Sequence, residues 1–402
     1  MDVLLICNYW HFEFEKTSSR YRTLADMIVE SGINLEVVTS SFRHQTKEQR
    51  NLKVISKIAS QYKVTLLYEP GYKKNISLIR IRSHAVFAKE VIKYLRRRKK
   101  PDLIICSVPS LAVGDLVTAF AEKNRIKVIV DIQDLWPEAF KMAIDIPIIS
   151  DILFAPMMKQ ANRIYSRADR IMAVSETYVE RGLKYNKKDD KGLAVFIGTD
   201  SKLVKTAEEN NIYIKPEGEF WIGYVGALGH SYDIRIIIKA IQQIVDKGIK
   251  NIVFKIMGDG VLMNEFKRYA EAHNVNCDFT GFLEYGNMMA MLRCCDVAVN
   301  PIVGNSVSSI INKVSDYAMA GVPVINTQNS DEYRKMLEDY NCGINCENGN
   351  VNSIAKAILK LYYDKDLKTK MSANSYKLGS EKFDRRRTYT KVIELIEEMV
   401  QE

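Results

Sequence analysis

Short apolar runs alternate with stretches of helical periodicity along the first half of the chain. The runs read as buried strands, since they are brief, rich in Val and Ile and followed by polar residues. Stretches between them repeat apolar residues at helical spacing, at 21–30, 83–98 and 112–123. Strands that alternate with helices in this rhythm indicate an α/β, doubly wound parallel sheet. The predicted strands are 3–7, 35–39, 103–107, 128–131, 171–174 and 194–197.

The second half repeats the plan, so a second sheet of the same kind is expected. Its predicted strands are 221–225, 252–257, 277–280, 297–300, 322–326 and 343–345. Its predicted helices are 234–246, 261–273, 285–294, 312–319 and 351–363. At 402 residues the chain exceeds the usual size of one hydrophobic core. We therefore predict an N-terminal domain at 1–200 and a C-terminal domain at 201–383, with the polar segment 200–219 as the linker. A C-terminal helix at 384–402 is expected to pack back toward the first domain.

Charge is distributed unevenly between the two halves. Residues 1–200 contain 33 Lys and Arg against 23 Asp and Glu, whereas the rest contain 25 against 26. A cationic first half indicates an anionic partner. No recognisable nucleic-acid-binding module accompanies the basic clusters, so nucleic acid is not expected. No run of 18 apolar residues predicts a membrane-spanning helix, and seven cysteines without zinc or disulfide spacing favour reduced thiols in the cytosol.

Segment 308–325 carries the most specific chemistry. A polar loop leads into a short helix with Lys313 and Asp316, which lie three residues apart and so share a helical face. The helix precedes the predicted strand 322–326, at the edge where open α/β sheets bind ligands. A cation for phosphate and a carboxylate for sugar hydroxyls suit a nucleotide-sugar.

Two glycine-bearing turns follow neighbouring predicted strands. One contains Gly226, Gly229 and Ser231, and the other contains Gly258 and Asp259. Glycines let the backbone approach a phosphate while helix N–H groups point at it. Ordinary strand-to-helix turns would have the same composition, so this alternative stays open.

Polar residues also follow the strands of the first half. Asp131, Gln133, Asp134 and Glu138 come at the end of a predicted strand, where carboxylates face a ligand or cap the next helix. The loop after the first strand contains His11, Arg20 and Arg22, which either contact an acceptor or pack over the sheet. Basic residues at 73–74, 80–82 and 96–100 suit a membrane surface, and a solvated helix end is the alternative for 96–100. The apolar stretch 144–158 also suits a membrane surface, and a buried helix is its alternative.

Taken together, these motifs resemble retaining glycosyltransferases of family 4, especially the bacterial enzymes of O-antigen and capsule assembly. The likeness spans nearly the whole chain and depends most on Asp-x-x-Asp-Leu-Trp-Pro-Glu at 131–138 and Lys-x-x-x-Tyr-x-x-x-Gly-x-Pro-Val-Ile, whose Lys is Lys313 and whose Tyr is Tyr317. It implies the GT-B fold, two Rossmann-like domains facing a central cleft, with the nucleotide-sugar donor bound by the second domain and the acceptor by the first.

The resemblance also implies an activity and roles. The expected reaction moves a hexosyl or N-acetylhexosaminyl group from a UDP- or GDP-sugar to a lipid-linked or oligosaccharide acceptor, without a metal ion. Catalytic roles fall to Lys313, Asp134 and Gln133, and acceptor binding to His11, Arg20, Arg22, Asp131 and Glu138. Donor binding falls to Gly226, Leu228, Gly229, Ser231, Gly258, Asp259, Ser308, Asn312, Lys313 and Asp316. The implied location is the cytoplasm, either free or peripheral on the inner face of the cell membrane.

Three positions depart from the family pattern. Ser308 stands eight residues before Asp316, where the family has the first glutamate of an E-x7-E motif. Ala227 replaces a phosphate-binding arginine, and Gln133 replaces a histidine that contacts the sugar. A non-catalytic glycan-binding or accessory subunit is therefore the alternative function, and a sugar-nucleotide epimerase is a weaker third reading.

Overall fold

Two parallel sheets organise the protein. Counted along its own segment, the first has the strand order 3-2-1-4-5-6-7 and the second 3-2-1-4-5-6. The computed structural model describes residues 1–15, 19–51, 61–143, 149–210, 213–303 and 310–401. The first sheet has the order β5-β2-β1-β6-β7-β8-β9 and the second β12-β11-β10-β13-β14-β15. Strands of the first sheet are β1 Asp2–Cys7, β2 Asn34–Ser40, β5 Lys63–Leu67, β6 Leu103–Val108, β7 Lys127–Ile132, β8 Arg170–Ala173 and β9 Leu193–Ala194, and a hairpin joins β3 Phe42–Arg43 and β4 Glu48–Gln49. Strands of the second are β10 Phe220–Val225, β11 Ile252–Met257, β12 Cys277–Gly281, β13 Val297–Asn300, β14 Val324–Asn326 and β15 Gly343–Asn345.

Helices connect the strands within each unit. The first unit contains α1 Arg20–Glu30, α2 Leu78–Arg97, α3 Leu111–Asn124, α4 Glu138–Ala143, α5 Ile149–Arg167 and α6 Glu176–Leu183. The second contains α7 Ser201–Asn210, α8 Ile234–Val245, α9 Met263–Ala272, α10 Tyr285–Arg293, α11 Asn312–Met319, α12 Asp331–Tyr340, α13 Val351–Tyr363, α14 Lys365–Leu378 and α15 Arg385–Thr388. The last helix is α16 Thr390–Gln401.

The chain divides into two units, Met1–Phe196 with Tyr389–Glu402, and Ile197–Thr388. Each has its own apolar core. In the first, strand residues such as Val3 and Ile105 pack with α1 and with α16, which contributes Val392 and Ile396. In the second, the isoleucine-rich α8 and helix α13 pack on β10, β11 and β13. The central strands, such as β1, β6, β10 and β13, are buried on both faces, which explains their nearly continuous apolar sequences.

Several elements differ from the sequence prediction. The segment 200–219 was expected to be a linker, but it contains α7, which packs on α10 and buries Val204. Helix α2 begins at Leu78 rather than at 83, with Ser77 as its N-cap. The periodicity did not predict β5, α5, α6, α12 or α14. In α12 a local signal was present, since its buried Tyr333 and Leu337 lie at helical spacing. Strand β5 is only partly buried, so its apolar signal is weaker.

Candidate functional site

The two glycine turns of the second unit are joined to each other by backbone hydrogen bonds. Gly226 N donates to Met257 O at 3.0 Å, and Leu228 N donates to Asp259 O at 2.9 Å. At Gly258, φ is +155°, and a Cβ atom there would lie 1.9 Å from the carbonyl oxygen of Gly226. Only glycine permits this approach. Because β10 adjoins β13, where the strand order reverses, the Gly226 turn lies at the switch point where doubly wound sheets bind ligands.

Lys313 is buried beside the first of these turns. Its side chain is 7% exposed, and a Cβ atom on Gly226 would lie 2.8 Å from its Nζ. The Nζ lies over the rings of Tyr224 and Tyr232, at 4.1 and 3.5 Å from their centroids. It has no hydrogen-bond partner among the residues that the structure describes. Burial lowers the pKa of Lys313 well below the ordinary lysine value.

An ammonium in this position is only partly compensated. The tyrosine rings attract a cation through their quadrupoles, but they accept no conventional hydrogen bond from it. A buried cation without a counter-charge is costly. An anion bound beside the Gly226 turn would supply that charge, and the pKa of the amine would rise on binding.

Asp316 lies one turn further along α11 and makes defined hydrogen bonds. Its Oδ1 accepts from Thr199 Oγ1 at 2.8 Å and from Tyr285 OH at 3.0 Å. Burial raises its pKa, and these two donors oppose that effect. Both hydrogen bonds fall on one oxygen, so Oδ2 keeps its acceptor capacity for a hydroxyl group. The sequence prediction did not include Thr199 or Tyr285 in the site.

The other predicted donor-binding residues lie in the same two turns or at the start of α11. Leu228 is buried, whereas Ser231, Asp259 and Asn312 are exposed. A Cβ atom on Gly229 would meet open space. Asp259 accepts a hydrogen bond from the N–H of the following residue at 2.6 Å. Ser308 lies outside the described residues, so its donor-binding role stays a prediction.

A row of asparagines, which the sequence reasoning missed, crosses the same edge of the second sheet. Asn300, Asn326 and Asn345 end three adjacent strands. Asn300 Nδ2 donates to Asn326 Oδ1, and Asn326 Nδ2 donates to Asn345 Oδ1, each at 3.0 Å. The available signal was three predicted strands that each end in an apolar residue followed by Asn. These amides tie the carboxyl ends of β13, β14 and β15 together.

In the first unit, Asp131 and Arg20 are paired with each other. The guanidinium lies 3.0 Å from Asp131 Oδ1, and Tyr21 OH donates to Oδ2 at 2.8 Å. Arg20 also donates to Val195 O at 2.9 Å. Both side chains are buried. In this arrangement the two charges neutralise each other within the protein. Their predicted role in acceptor binding would require this ion pair to break.

We expect Asp131→Asn to destabilise the protein by about 3 kcal/mol, because it leaves the buried charge of Arg20 unpaired. Urea unfolding measures the effect. Glu90→Gln is a suitable control, since Glu90 pairs with Lys93 on the surface and such pairs contribute about 0–1 kcal/mol. Unchanged stability of Asp131→Asn together with weaker acceptor binding would show that Asp131 contacts the acceptor instead.

The remaining polar residues after β7 differ in the hydrogen bonds and ion pairs that their side chains make. Asp134 Oδ2 accepts from Trp136 Nε1 at 3.2 Å, and burial raises the pKa of Asp134. Glu138 pairs with Arg181 at 2.5 Å. The side-chain amide nitrogen of Gln133 is buried without a hydrogen-bond partner in the part of the chain described. Glu138 Oε2 likewise has no partner in the described ranges, so Gln133 and Glu138 each keep one polar atom that a ligand could meet.

His11 and Arg22 lie near the start of α1. His11 is buried, with Nε2 2.8 Å from Gln45 Nε2. Burial lowers the pKa of His11 to about 4, so the ring is neutral at neutral pH. One terminal nitrogen of Arg22 is buried and unpaired within the described residues. Of the two, Arg22 is the better candidate for binding an anionic group.

Solved structures with the same fold cover essentially the whole chain. Sucrose-phosphate synthase from Thermosynechococcus elongatus aligns with a TM-score of 0.71 at 14% identity, over 99% of this chain and 98% of that protein. HepE from Anabaena, solved in complex with UDP, aligns with a TM-score of 0.67 at 12% identity, over 99% and 100%. WaaG, a glycosyltransferase involved in lipopolysaccharide biosynthesis, aligns with a TM-score of 0.65 at 13% identity, over 98% and 99%. The fold is GT-B.

Sequence comparison places a family match within the second GT-B unit. Residues 205–378 match the family described as Glycosyl transferases group 1. This range contains both glycine turns, Lys313 and Asp316. No curated protein sequence is significantly similar to the chain. Identities of 12–14% to the solved structures establish the GT-B fold alone, because one fold carries many different reactions.

Among the residues that the structure describes, no group of three or more His, Cys, Asp or Glu side chains is placed to hold a metal ion. No helix in the described ranges has the length and apolar character to cross a membrane.

Proposed function

We propose that this protein is a nucleotide-sugar glycosyltransferase whose second unit binds the donor diphosphate at the Gly226 turn. The observation that carries the proposal is the buried Lys313 amine, which faces that turn without a hydrogen-bond partner among the described residues. The family match over 205–378 supports the assignment, and so does the structural likeness to HepE, which was solved with UDP.

The chemistry of the site suits departure of a nucleoside diphosphate. As the glycosidic bond breaks, negative charge grows on the diphosphate, and a cation already desolvated at that place stabilises it without reorganisation. Lys313 would supply the cation, and the Gly226 turn, which has open space where a Cβ of Gly229 would lie, would sit against the diphosphate. Asp316, oriented by Thr199 and Tyr285, would accept hydrogen bonds from the ribose through its second oxygen. In this account no metal ion is needed to neutralise the leaving group.

The finer assignment follows the family resemblance. The enzyme would transfer a hexosyl or N-acetylhexosaminyl group with retention, from a UDP- or GDP-sugar to a lipid-linked or oligosaccharide acceptor. Gln133 and Asp134 would face the reacting sugar, and Arg22 the acceptor. The structural likeness to WaaG, named for lipopolysaccharide biosynthesis, supports a role in building a surface polysaccharide such as O-antigen or capsule.

A second candidate is a non-catalytic glycan-binding or accessory subunit. Ala227 is exposed in the Gly226 turn and supplies no phosphate-binding side chain, and Ser308 supplies no carboxylate. Both observations favour a protein that binds the donor without turnover.

A donor panel tests the proposal. At a ligand concentration 100 times Kd, binding stabilises the folded state by about 2.7 kcal/mol, which raises Tm by about 8 °C for a unit of this size. We expect one UDP- or GDP-sugar to give such a shift and then to release free sugar slowly. A shift without sugar release, even with acceptors present, would favour the accessory subunit. No shift with any nucleotide-sugar would refute donor binding.

A further inference from the structure

The positive charge of the first unit is concentrated in one stretch of chain. Residues 61–100 contain 12 Lys and Arg against two Asp and Glu. Lys73 and Lys74 precede helix α2 and are exposed, as is Arg82 in its second turn. The beginning of α2 therefore carries an exposed basic surface formed by Lys73, Lys74 and Arg82.

The same place exposes large apolar side chains. Ile76 is 63% exposed, and in the first turns of α2 Leu78, Ile79 and Ile81 are 83%, 65% and 47% exposed. Further along, the helix buries Phe87, Val91 and Leu95 in the ordinary way. The apolar residues at the beginning of α2 thus do not take part in the core. Contiguous apolar groups on a surface mark a site of interaction.

A row of aromatic rings connects this helix start to that of α5. The guanidinium of Arg80 lies 4.5 Å from the ring centroid of Trp136, which lies 4.6 Å from that of Phe140. Phe140 in turn contacts Phe154 of α5, at 6.1 Å between centroids. Next to Phe154, Ile152 and Leu153 are exposed. The exposed apolar residues at the beginnings of α2 and α5 therefore lie at the two ends of this row of aromatic rings.

We propose that this surface, formed by residues 73–82 and by Ile152 and Leu153, docks the protein on an anionic lipid bilayer. Apolar side chains inserted at the boundary between headgroups and acyl chains, with basic side chains at headgroup level, are the pattern by which proteins lie on membranes. The positive charge of this surface favours an anionic bilayer over a second copy of the chain as the binding partner. A second copy of the chain would bring two basic surfaces together, whereas an anionic leaflet complements them.

The inference deepens the proposed function, since it rests on the lipid-linked acceptor and names the surface from which that acceptor would be reached. Arg80, which belongs to this surface, lies over the ring of Trp136, and Trp136 comes two residues after Asp134 beyond the end of β7. Vesicle binding is measured without donor or acceptor, so the docking surface and the transferase proposal can fail separately.

The test is flotation of the full chain with vesicles of equal parts phosphatidylcholine and phosphatidylglycerol, compared with pure phosphatidylcholine. We expect binding to the anionic vesicles that weakens as salt is added. Leu78→Ser/Ile79→Ser should weaken it at least about tenfold, because two apolar side chains no longer insert. Ile214→Ser, which alters a side chain 86% exposed in the second unit, should leave it unchanged.

Two matched lysine pairs separate local docking from a general charge effect. Lys73→Gln/Lys74→Gln and Lys99→Gln/Lys100→Gln remove the same charge from points roughly 30 Å apart, at the two ends of α2. The first pair should weaken binding about 25-fold, since each interfacial lysine contributes about fivefold, and the second less than about twofold. These side chains are exposed, so the thermal melts should stay alike.

Three results would overturn the proposal. Equal losses in both lysine pairs would mean that net charge alone drives binding. No binding to anionic vesicles at low salt, or full binding by Leu78→Ser/Ile79→Ser, would exclude insertion. A dimer in sedimentation equilibrium that this double variant dissociates would assign the surface to self-association.

Discussion

Lys313→Met is expected to make the protein more stable and nearly inactive. Methionine fills a similar volume on the rings of Tyr224 and Tyr232 and needs no hydrogen-bond partner, so the cost of burying the amine, about 2 kcal/mol, disappears. Turnover of the donor should fall about 10³-fold, because the diphosphate loses its stabilising cation. Urea unfolding and donor hydrolysis measure the two effects. A gain in stability coupled to a loss of activity is typical of a functional residue.

The stability gain should depend on pH with a definite sign. Burial lowers the pKa of Lys313 in the folded state, so between that value and the ordinary lysine pKa the unfolded chain binds more protons. Stability of the natural protein attributable to Lys313 therefore rises with pH through this interval. The advantage of Lys313→Met should be largest at the acid side of the interval and shrink above it.

An exposed lysine provides the control for this experiment. Lys356 lies on the outer face of α13, and Lys356→Met should change stability by less than about 0.5 kcal/mol and leave turnover unchanged. If Lys313→Met proved less stable than the natural protein, the amine would have to be satisfied in the folded state, and the unpaired ammonium would not be the basis of the site.

Gly258→Ala is expected to destabilise the second unit by about 4 kcal/mol. The added methyl group would lie 1.9 Å from the Gly226 carbonyl oxygen, and a φ of +155° is strained for alanine. The two turns would have to separate, which would also displace the backbone that faces Lys313. Donor binding should be lost with the stability, and calorimetric melting together with a nucleotide titration measures both.

Gly229→Ala is the matched control within the same site. A Cβ atom there meets nothing within 4 Å, so stability should change by no more than about 1 kcal/mol. Similar stabilities for Gly258→Ala and Gly229→Ala would mean that the close approach of the two turns is not required for the fold.

The sequence predicted the sheets well because parallel strands leave a strong local signal. Each central strand is a short, nearly continuous apolar run, so β1, β6, β10 and β11 were placed within about two residues. The glycine turns and α11 were found for the same reason, since glycine and the spacing of Lys313 and Asp316 are visible locally. The edge of the second sheet that carries the proposed donor site was therefore predictable in outline.

The partners of the site residues were not predictable, because they come from distant parts of the chain. Asp316 depends on Thr199, which is 117 residues away, and Asp131 on Arg20, at 111. Such pairings arise from the way helices pack on the sheet, and no local pattern records them. Lys313 was found from its spacing, but its position over Tyr224 and Tyr232 required the structure.

Calorimetric titration of UDP and GDP into the natural protein and Lys313→Met tests the central claim most directly. If the diphosphate binds at Lys313, it raises the lowered pKa of the amine, and the natural protein takes up a proton at alkaline pH. The binding enthalpy should then vary with the ionisation enthalpy of the buffer, and Lys313→Met should bind far more weakly without that variation. Equal affinity of the two proteins, with no proton uptake in either, would contradict the account.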